Sequence, residues 1–272
     1  MELPIKGNFI DQFAAIEFPS DLRWDDRRPN WGLPTLRPCL TFFTCRSKLV
    51  PMPPFLRRIV VHLAPRSYAY YRAFTSLILD KKSYLHTTGW IRSLTEEIPI
   101  DREGRDLPWM NYPVLHFLTP RLKKEFTLFE YGSGYSTTFF ANLVSQVTSV
   151  EYDEKWFEIV KKRAPDNVRL IYEPQDSDGL YCRTVHTSGL KFEVIVIDGR
   201  DRVNCLKQSV SALSEAGVVI LDDSQRDKYR EAFEHAHSHG FRSLDFDGLK
   251  PTHFDSHRTT IFYRPDCNCL GI

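Results

Sequence analysis

From Thr127 onward the chain alternates short apolar runs with stretches of helical period. Thr127-Leu-Phe-Glu-Tyr-Gly132 predicts a strand, and 135–145 a helix. Strands follow at 147–151, 168–172, 192–198 and 217–223, with helices at 153–164, 202–216 and 226–239. The run Phe192-Glu-Val-Ile-Val-Ile-Asp198 is almost wholly apolar, as in a strand buried on both faces. Gly240 is a natural stop for the last long helix. Two final strands, 241–247 and 258–264, flank the loop 248–257. Strands alternating with helices imply an α/β protein with a parallel sheet covered on both faces. The closing strand–loop–strand implies that the last strand runs antiparallel.

The first hundred residues read differently. Pro4, Pro19, Pro29, Pro34 and Pro38 break any helix in residues 1–50, which predicts an irregular arm or a segment that packs on the main body. Residues 51–105 predict a helical extension: Phe55, Leu56, Ile59, Val60 and Leu63 recur at helical spacing up to Pro65, and further helices cover 68–80 and 84–95. Arg57, Arg58 and His62 make the first helix basic and amphipathic. A helix packed on the domain is favoured over one lying on a membrane surface. Residues 106–272 form the expected α/β domain.

Composition narrows the classes. Of 272 residues, 36 are basic and 35 acidic, so charge gives no reason to expect nucleic acid or an acidic membrane as partner. Glu2 and Asp11 interrupt the start, so no signal peptide is expected. No run of 18 apolar residues predicts a transmembrane helix, and a cytoplasmic location is expected. Six scattered cysteines, Cys267 and Cys269 among them, read as reduced thiols rather than a disulfide framework.

Candidate chemistry starts where the first strand ends, in Glu130-Tyr-Gly132-Ser133-Gly134-Tyr-Ser136. Glycines two apart let backbone turn sharply and approach a ligand at the next helix N-terminus. The dinucleotide fingerprint places a third glycine at 137, where this chain has Thr137. Glu151, at the end of the second strand, is placed to accept hydrogen bonds from ribose hydroxyls. Tyr152 beside it offers a face for adenine.

These motifs, with Val194-Ile-Val-Ile-Asp198-Gly-Arg-Asp-Arg202 and Gly217-Val-Val-Ile-Leu-Asp222-Asp223-Ser224, resemble the class I S-adenosylmethionine (SAM)-dependent methyltransferases over residues 85–264. Leu107-Pro-Trp109-Met-Asn-Tyr112-Pro113 resembles a poorly characterised bacterial branch of that superfamily. The resemblance implies a Rossmann-like doubly wound sheet in the order 3-2-1-4-5-7-6, strand 7 reversed. It implies SAM as cofactor, with Glu130, Gly132, Ser133, Gly134 and Ser136 at the amino-acid part and Glu151 and Tyr152 at the nucleoside. Asp198 would lie near the methyl group, and Asp176 or Asp178 would read adenine. The acceptor it leaves open: a small molecule or glycan, with O-methylation favoured.

Asp198, Asp222 and Asp223 end adjacent strands and could together hold a divalent metal. The pattern is similar to catechol O-methyltransferases, although Asp223 stands where those carry Asn. His235 and His239 share a helix face at zinc spacing, without an evident third ligand. Asp198 is the expected base by topology, with His253 and His257 as further candidates. Trp109 and Tyr112 either close over the cofactor or brace the sheet. The competing readings are a non-catalytic partner protein of the same fold and an NAD-dependent oxidoreductase.

Overall fold

The structure, a computed structural model, describes residues 54–174 and 176–272. The expectation of an irregular arm at 1–50 falls outside them.

The seven strands are β1 (Thr127–Tyr131), β2 (Gln146–Glu151), β3 (Val168–Tyr172), β4 (Phe192–Ile197), β5 (Leu213–Asp222), β6 (Arg242–Gly248) and β7 (His257–Tyr263). They form one sheet in the order β3-β2-β1-β4-β5-β7-β6. The first five strands are mutually parallel, and β7 runs antiparallel to both neighbours. This is the Rossmann-like methyltransferase order that the resemblance implied.

The helices are α1 (Pro54–Leu63), α2 (Pro65–Phe74), α3 (Tyr84–Thr87), α4 (Trp90–Glu96), α5 (Tyr112–Leu118), α6 (Tyr135–Ala141), α7 (Glu154–Lys161), α8 (Leu180–Arg183), α9 (Arg202–Ala212) and α10 (Arg230–Ser238). A π-helical turn, Thr75–Leu79, continues α2.

Period-2 alternation splits the core. Phe129, Tyr131, Ile195, Ile197, Val219 and Leu221 face one side of the sheet, against Tyr181 of α8, Leu206 of α9 and Ala232 of α10. Leu128, Val194, Val196, Val218 and Ile220 face the other, against Val114 of α5 and Phe140 of α6. Trp90 of α4 is buried in that second core as well. By contrast α2 buries none of its residues.

One boundary differs from the sequence pattern. The helix expected over 202–216 ends at Ala212, and Leu213–Ala216 already belong to β5. Phe192 pairs with Leu213 and Val194 with Val218, so a register shift takes up the extra residues. At the shift, a Cβ on Gly217 would lie 2.7 Å from the Phe192 carbonyl oxygen. Helical propensity in Leu-Ser-Glu-Ala loses to strand pairing that only the neighbouring β4 supplies.

Among the described residues no helix is long and apolar enough to cross a membrane.

Candidate functional site

The sheet brings its motif residues to one edge, at the carboxyl ends of β1, β2, β4 and β5, where open α/β sheets hold ligands. Gly132 turns the chain there with φ of +89°. A Cβ on it would come within 3.0 Å of the Gly199 backbone, so the close approach of the β1 and β4 ends requires glycine. Gly134 is different: its φ of 164° is extended, and a Cβ there would meet only the Trp156 ring at 3.6 Å. The left-handed turn expected around these glycines therefore belongs to Gly132.

Below this turn lies Glu130, fully buried. Its Oε2 accepts hydrogen bonds from the hydroxyls of Thr137 at 2.6 Å and Ser149 at 2.8 Å. Thr137 Oγ1 in turn accepts from the Gly134 N–H at 2.9 Å. The residue that breaks the dinucleotide fingerprint thus ties the acid to the glycine turn. Oε1 of Glu130 is buried and makes no hydrogen bond. Burial pushes the carboxyl up to about 7, against the opposing pull of the Ser136, Thr137 and Ser149 hydroxyls, while the charge of Glu151 raises it further.

Glu151 does not stand at an open crevice mouth, as its strand-end position suggested. It is fully buried. Its Oε2 accepts from the backbone N–H and the hydroxyl of Ser133, each at 2.9 Å. Its Oε1 accepts from the N–H groups of Tyr152 at 3.0 Å and Asp153 at 2.9 Å. The carboxylate therefore clamps the glycine turn to the start of α7. Trp156, from the first turn of α7, donates its indole N–H to the Ser133 carbonyl at 2.8 Å. Tyr152 is half-buried, with the Arg200 guanidinium 5.2 Å from its ring centre. Asp176 and Asp178 serve local structure. Asp176 accepts from the Leu180 and Tyr181 N–H groups, and Asp178 pairs with Arg183 at 2.9 Å.

The three carboxylates considered for a metal are each engaged by other side chains. Asp198 Oδ1 pairs with Arg202 at 2.8 Å; burial raises its pKa and Arg202 opposes that. Asp222 accepts the Thr259 hydroxyl at 2.6 Å and is pushed up to about 7 by burial and by the Asp198 charge. Asp223 has φ of +51° and sits among donors: Lys250 and His257 at 3.0 Å, Arg226 at 2.6 Å. Burial alone would raise its pKa. The His257 hydrogen bond, Lys250, Arg202 and Arg226 outweigh it and hold the carboxyl far below the usual range. This donor set does not fit a divalent cation, because Lys250 and the arginines already occupy the positions a metal would need. Among the described residues no group of three or more His, Cys, Asp or Glu side chains has metal-binding geometry.

His257 and His253 part company here. The Nδ1–H of His257 donates to Asp223, and its Nε2 faces the exposed Asp255 at 3.2 Å. His253 turns its Nδ1 to the Pro251 carbonyl, and its pKa is lowered by burial. Its own carbonyl accepts from Trp90 Nε1 at 2.8 Å, while Trp109 Nε1 donates to Thr252 at 3.1 Å. Trp109 therefore pins the loop before β7. Tyr112 is a buried core residue. His235 and His239 stack at 4.2 Å, with His239 Nδ1 directed to the His235 carbonyl.

Sequence reasoning missed Lys250, Arg202, Arg226 and Asn111. The two arginines had a signal, lying four and three residues after the acids they pair with. Lys250 and Asn111 had none, since their partners are distant in sequence. Asn111 Nδ2 donates to Thr259 Oγ1 at 2.9 Å and to the Phe246 carbonyl at 2.9 Å, while its Oδ1 caps α5.

No family model matches this chain, and no curated protein does. Solved structures are similar to it over part of its length. They include an rRNA methylase from Streptococcus thermophilus, 14% identical with a TM-score of 0.43 over 56% of this chain and 96% of that one. A precorrin-6y C5,15-methyltransferase from Geobacter metallireducens is 16% identical, with a TM-score of 0.42 over 63% and 96% of the two chains. A spermidine synthase from Thermotoga maritima is 17% identical, with a TM-score of 0.42 over 57% and 60%.

Proposed function

We propose that this chain is a SAM-dependent methyltransferase. The observation that carries the reading is Glu130: a fully buried carboxyl under the glycine turn, with one oxygen bonded to Thr137 and Ser149 and the other unpaired. A buried acceptor without a partner is costly, and a ligand ammonium group at the turn would satisfy it. SAM carries such a group, and when bound it supplies an electrophilic sulfonium methyl. NAD offers no ammonium there, and Thr137 stands where its fingerprint has glycine.

Around the cofactor, Gly132 and Gly134 let backbone approach and Tyr152 offers a ring face. Glu151 holds Ser133 in place. It meets a ribose by exchanging the Ser133 hydroxyl for a ribose hydroxyl. Asp198 is committed to Arg202, which makes it a poor base. His257 is the better one: Asp223 fixes the ring through Nδ1, and Nε2, on exchanging Asp255 for an acceptor hydroxyl, can take its proton. Holding both reactants in line and excluding water supplies most of the rate. The acceptor is a small molecule or a glycan.

Calorimetry with SAM, S-adenosylhomocysteine and NAD tests the reading. Expected is low-micromolar binding of the first two, about −7 to −9 kcal/mol, and none of NAD. Folded protein that gives no heat with either sulfur ligand overturns it.

A further inference from the structure

A cavity of about 250 Å³ opens between the ends of β4 and β5, lined by Gly199–Val203 at the start of α9 and by Arg226, Lys228 and Tyr229 before α10. Four of its lining residues are cations: Arg200, Arg202, Arg226 and Lys228. Two of these have structural work to do. Arg202 is spanned between Asp198 and the Gly199 and Asp222 carbonyls, and Arg226 pairs with Asp223. The other two do not. Arg200 and Lys228 have no carboxylate within ion-pairing distance among the described residues; Arg200 lies over the Tyr152 ring and Lys228 over Tyr229, each at 5.2 Å.

The acids nearby cancel only part of this charge. Asp201 in the wall accepts from two neutral groups, the Asn204 amide and the Asp178 N–H, and so offsets one of the four cations. Asp198 and Asp223 lie behind the guanidiniums that they neutralise, and Asp223 has Lys250 as well. The cavity therefore carries an excess of positive charge in a concave wall, which concentrates the field. It is large enough for a phosphate or carboxylate and part of the molecule bearing it. Its place beside the Asp223–His257 pair puts it where an acceptor's nucleophile and its anionic group can be held together.

We propose that this cavity binds an anionic group of the methyl acceptor, so that the substrate is an acid: a phosphorylated or carboxylated molecule. Arg200 and Lys228 make the ionic contacts, and Arg202 shapes the wall. The assignment of the anion as part of a methyl acceptor rests on the methyltransferase reading above; the anion site itself does not.

The test uses the full chain and two probes, inorganic phosphate and acetate, each against chloride at equal ionic strength. Phosphate at ten times its Kd is expected to raise Tm by roughly 3 °C. Lys228→Gln and Arg200→Gln, both at exposed positions, are each expected to weaken that protection at least about tenfold in phosphate concentration, the loss of one charge-assisted contact. Protection by phosphate alone assigns a phosphoryl group, and protection by both probes admits a carboxylate. S-adenosylhomocysteine binding is measured in parallel, and Lys228→Gln is expected to leave it unchanged. Failure of that ligand to bind overturns the methyltransferase reading and leaves the phosphate result standing. Absence of protection by either probe in the parent protein, or protection in both variants equal to the parent's, overturns the anion site.

Discussion

Glu151 and Gly132 look alike in sequence, as motif residues at strand ends, yet they are constrained in different ways. Glu151 receives four hydrogen bonds while fully buried. Glu151→Ala leaves those donors facing an empty space, so it is expected to lower stability by about 3 kcal/mol, read as a Tm drop of roughly 6–12 °C. Loss of S-adenosylhomocysteine binding with no change in Tm would show that Glu151 is not the clamp. Gly132→Ala is expected to destabilise by about 2–3 kcal/mol, from the positive φ and the Gly199 contact together. Gly134→Val is expected to fold as the parent does and to lose cofactor binding, because only Trp156 faces its Cβ. Urea denaturation and calorimetry on the pair separate the two roles; equal stability losses would refute the distinction. The glycine spacing and the acid were legible in sequence. Which glycine bears the strain, and that the acid is internal, depend on how closely β1, β2 and β4 approach.

At the scale of elements, β7 and α5 are joined by one polar chain. Asn111 caps α5 and donates to Thr259, whose hydroxyl donates to Asp222. All three residues are buried. Asn111→Ala removes the cap and leaves the Phe246 carbonyl and Thr259 short of a donor, for an expected loss of about 3 kcal/mol. Thermal unfolding checks it, and a Tm within about 2 °C of the parent would refute it. The helices and strands around this junction follow from periodicity, but the junction itself does not. A lone Asn in a Pro- and Trp-rich segment carries no sign of a partner nearly 150 positions away. The end of α9 is a similar case, since Leu213–Ala216 are helical by propensity and extended by pairing with β4.

For the whole molecule, the buried acids set a pH dependence. Glu130 and Asp222 are each pushed up to about 7 by burial. They keep their protons in the folded state where the unfolded chain has lost them. Their contribution is therefore fully present below the ordinary carboxyl range and is lost as pH rises through about 7. Asp223 works in the opposite sense: its lowered pKa contributes above the unfolded value near 3.8 and is lost as pH falls through its folded value. Stability is thus expected to be greatest at about pH 4, in the ordinary carboxyl range, and to decline from there toward pH 8 by several kcal/mol. Glu130→Gln should flatten that alkaline decline. Urea midpoints from pH 5 to 8 test this, and a midpoint that rises with pH would refute it. A ligand ammonium at Glu130 favours the ionised form, so binding should release a proton near neutral pH and tighten as pH rises. Calorimetry in buffers of different ionisation enthalpy reads that proton directly.

The sequence by itself determined the α/β class, the strand order by resemblance, and the residues that the sheet edge would gather. These depend on local periodicity and short motifs, which neighbouring residues encode. The tertiary structure alone decided that Asp198, Asp222 and Asp223 are held by hydroxyls and cations rather than aligned for a metal. It also decided that His257, not His253, is backed by an ionised acid, and that Arg200 and Lys228 face a common cavity. Each of these depends on groups brought together from distant strands and loops. Their burial and pairing arise only when the sheet closes over them.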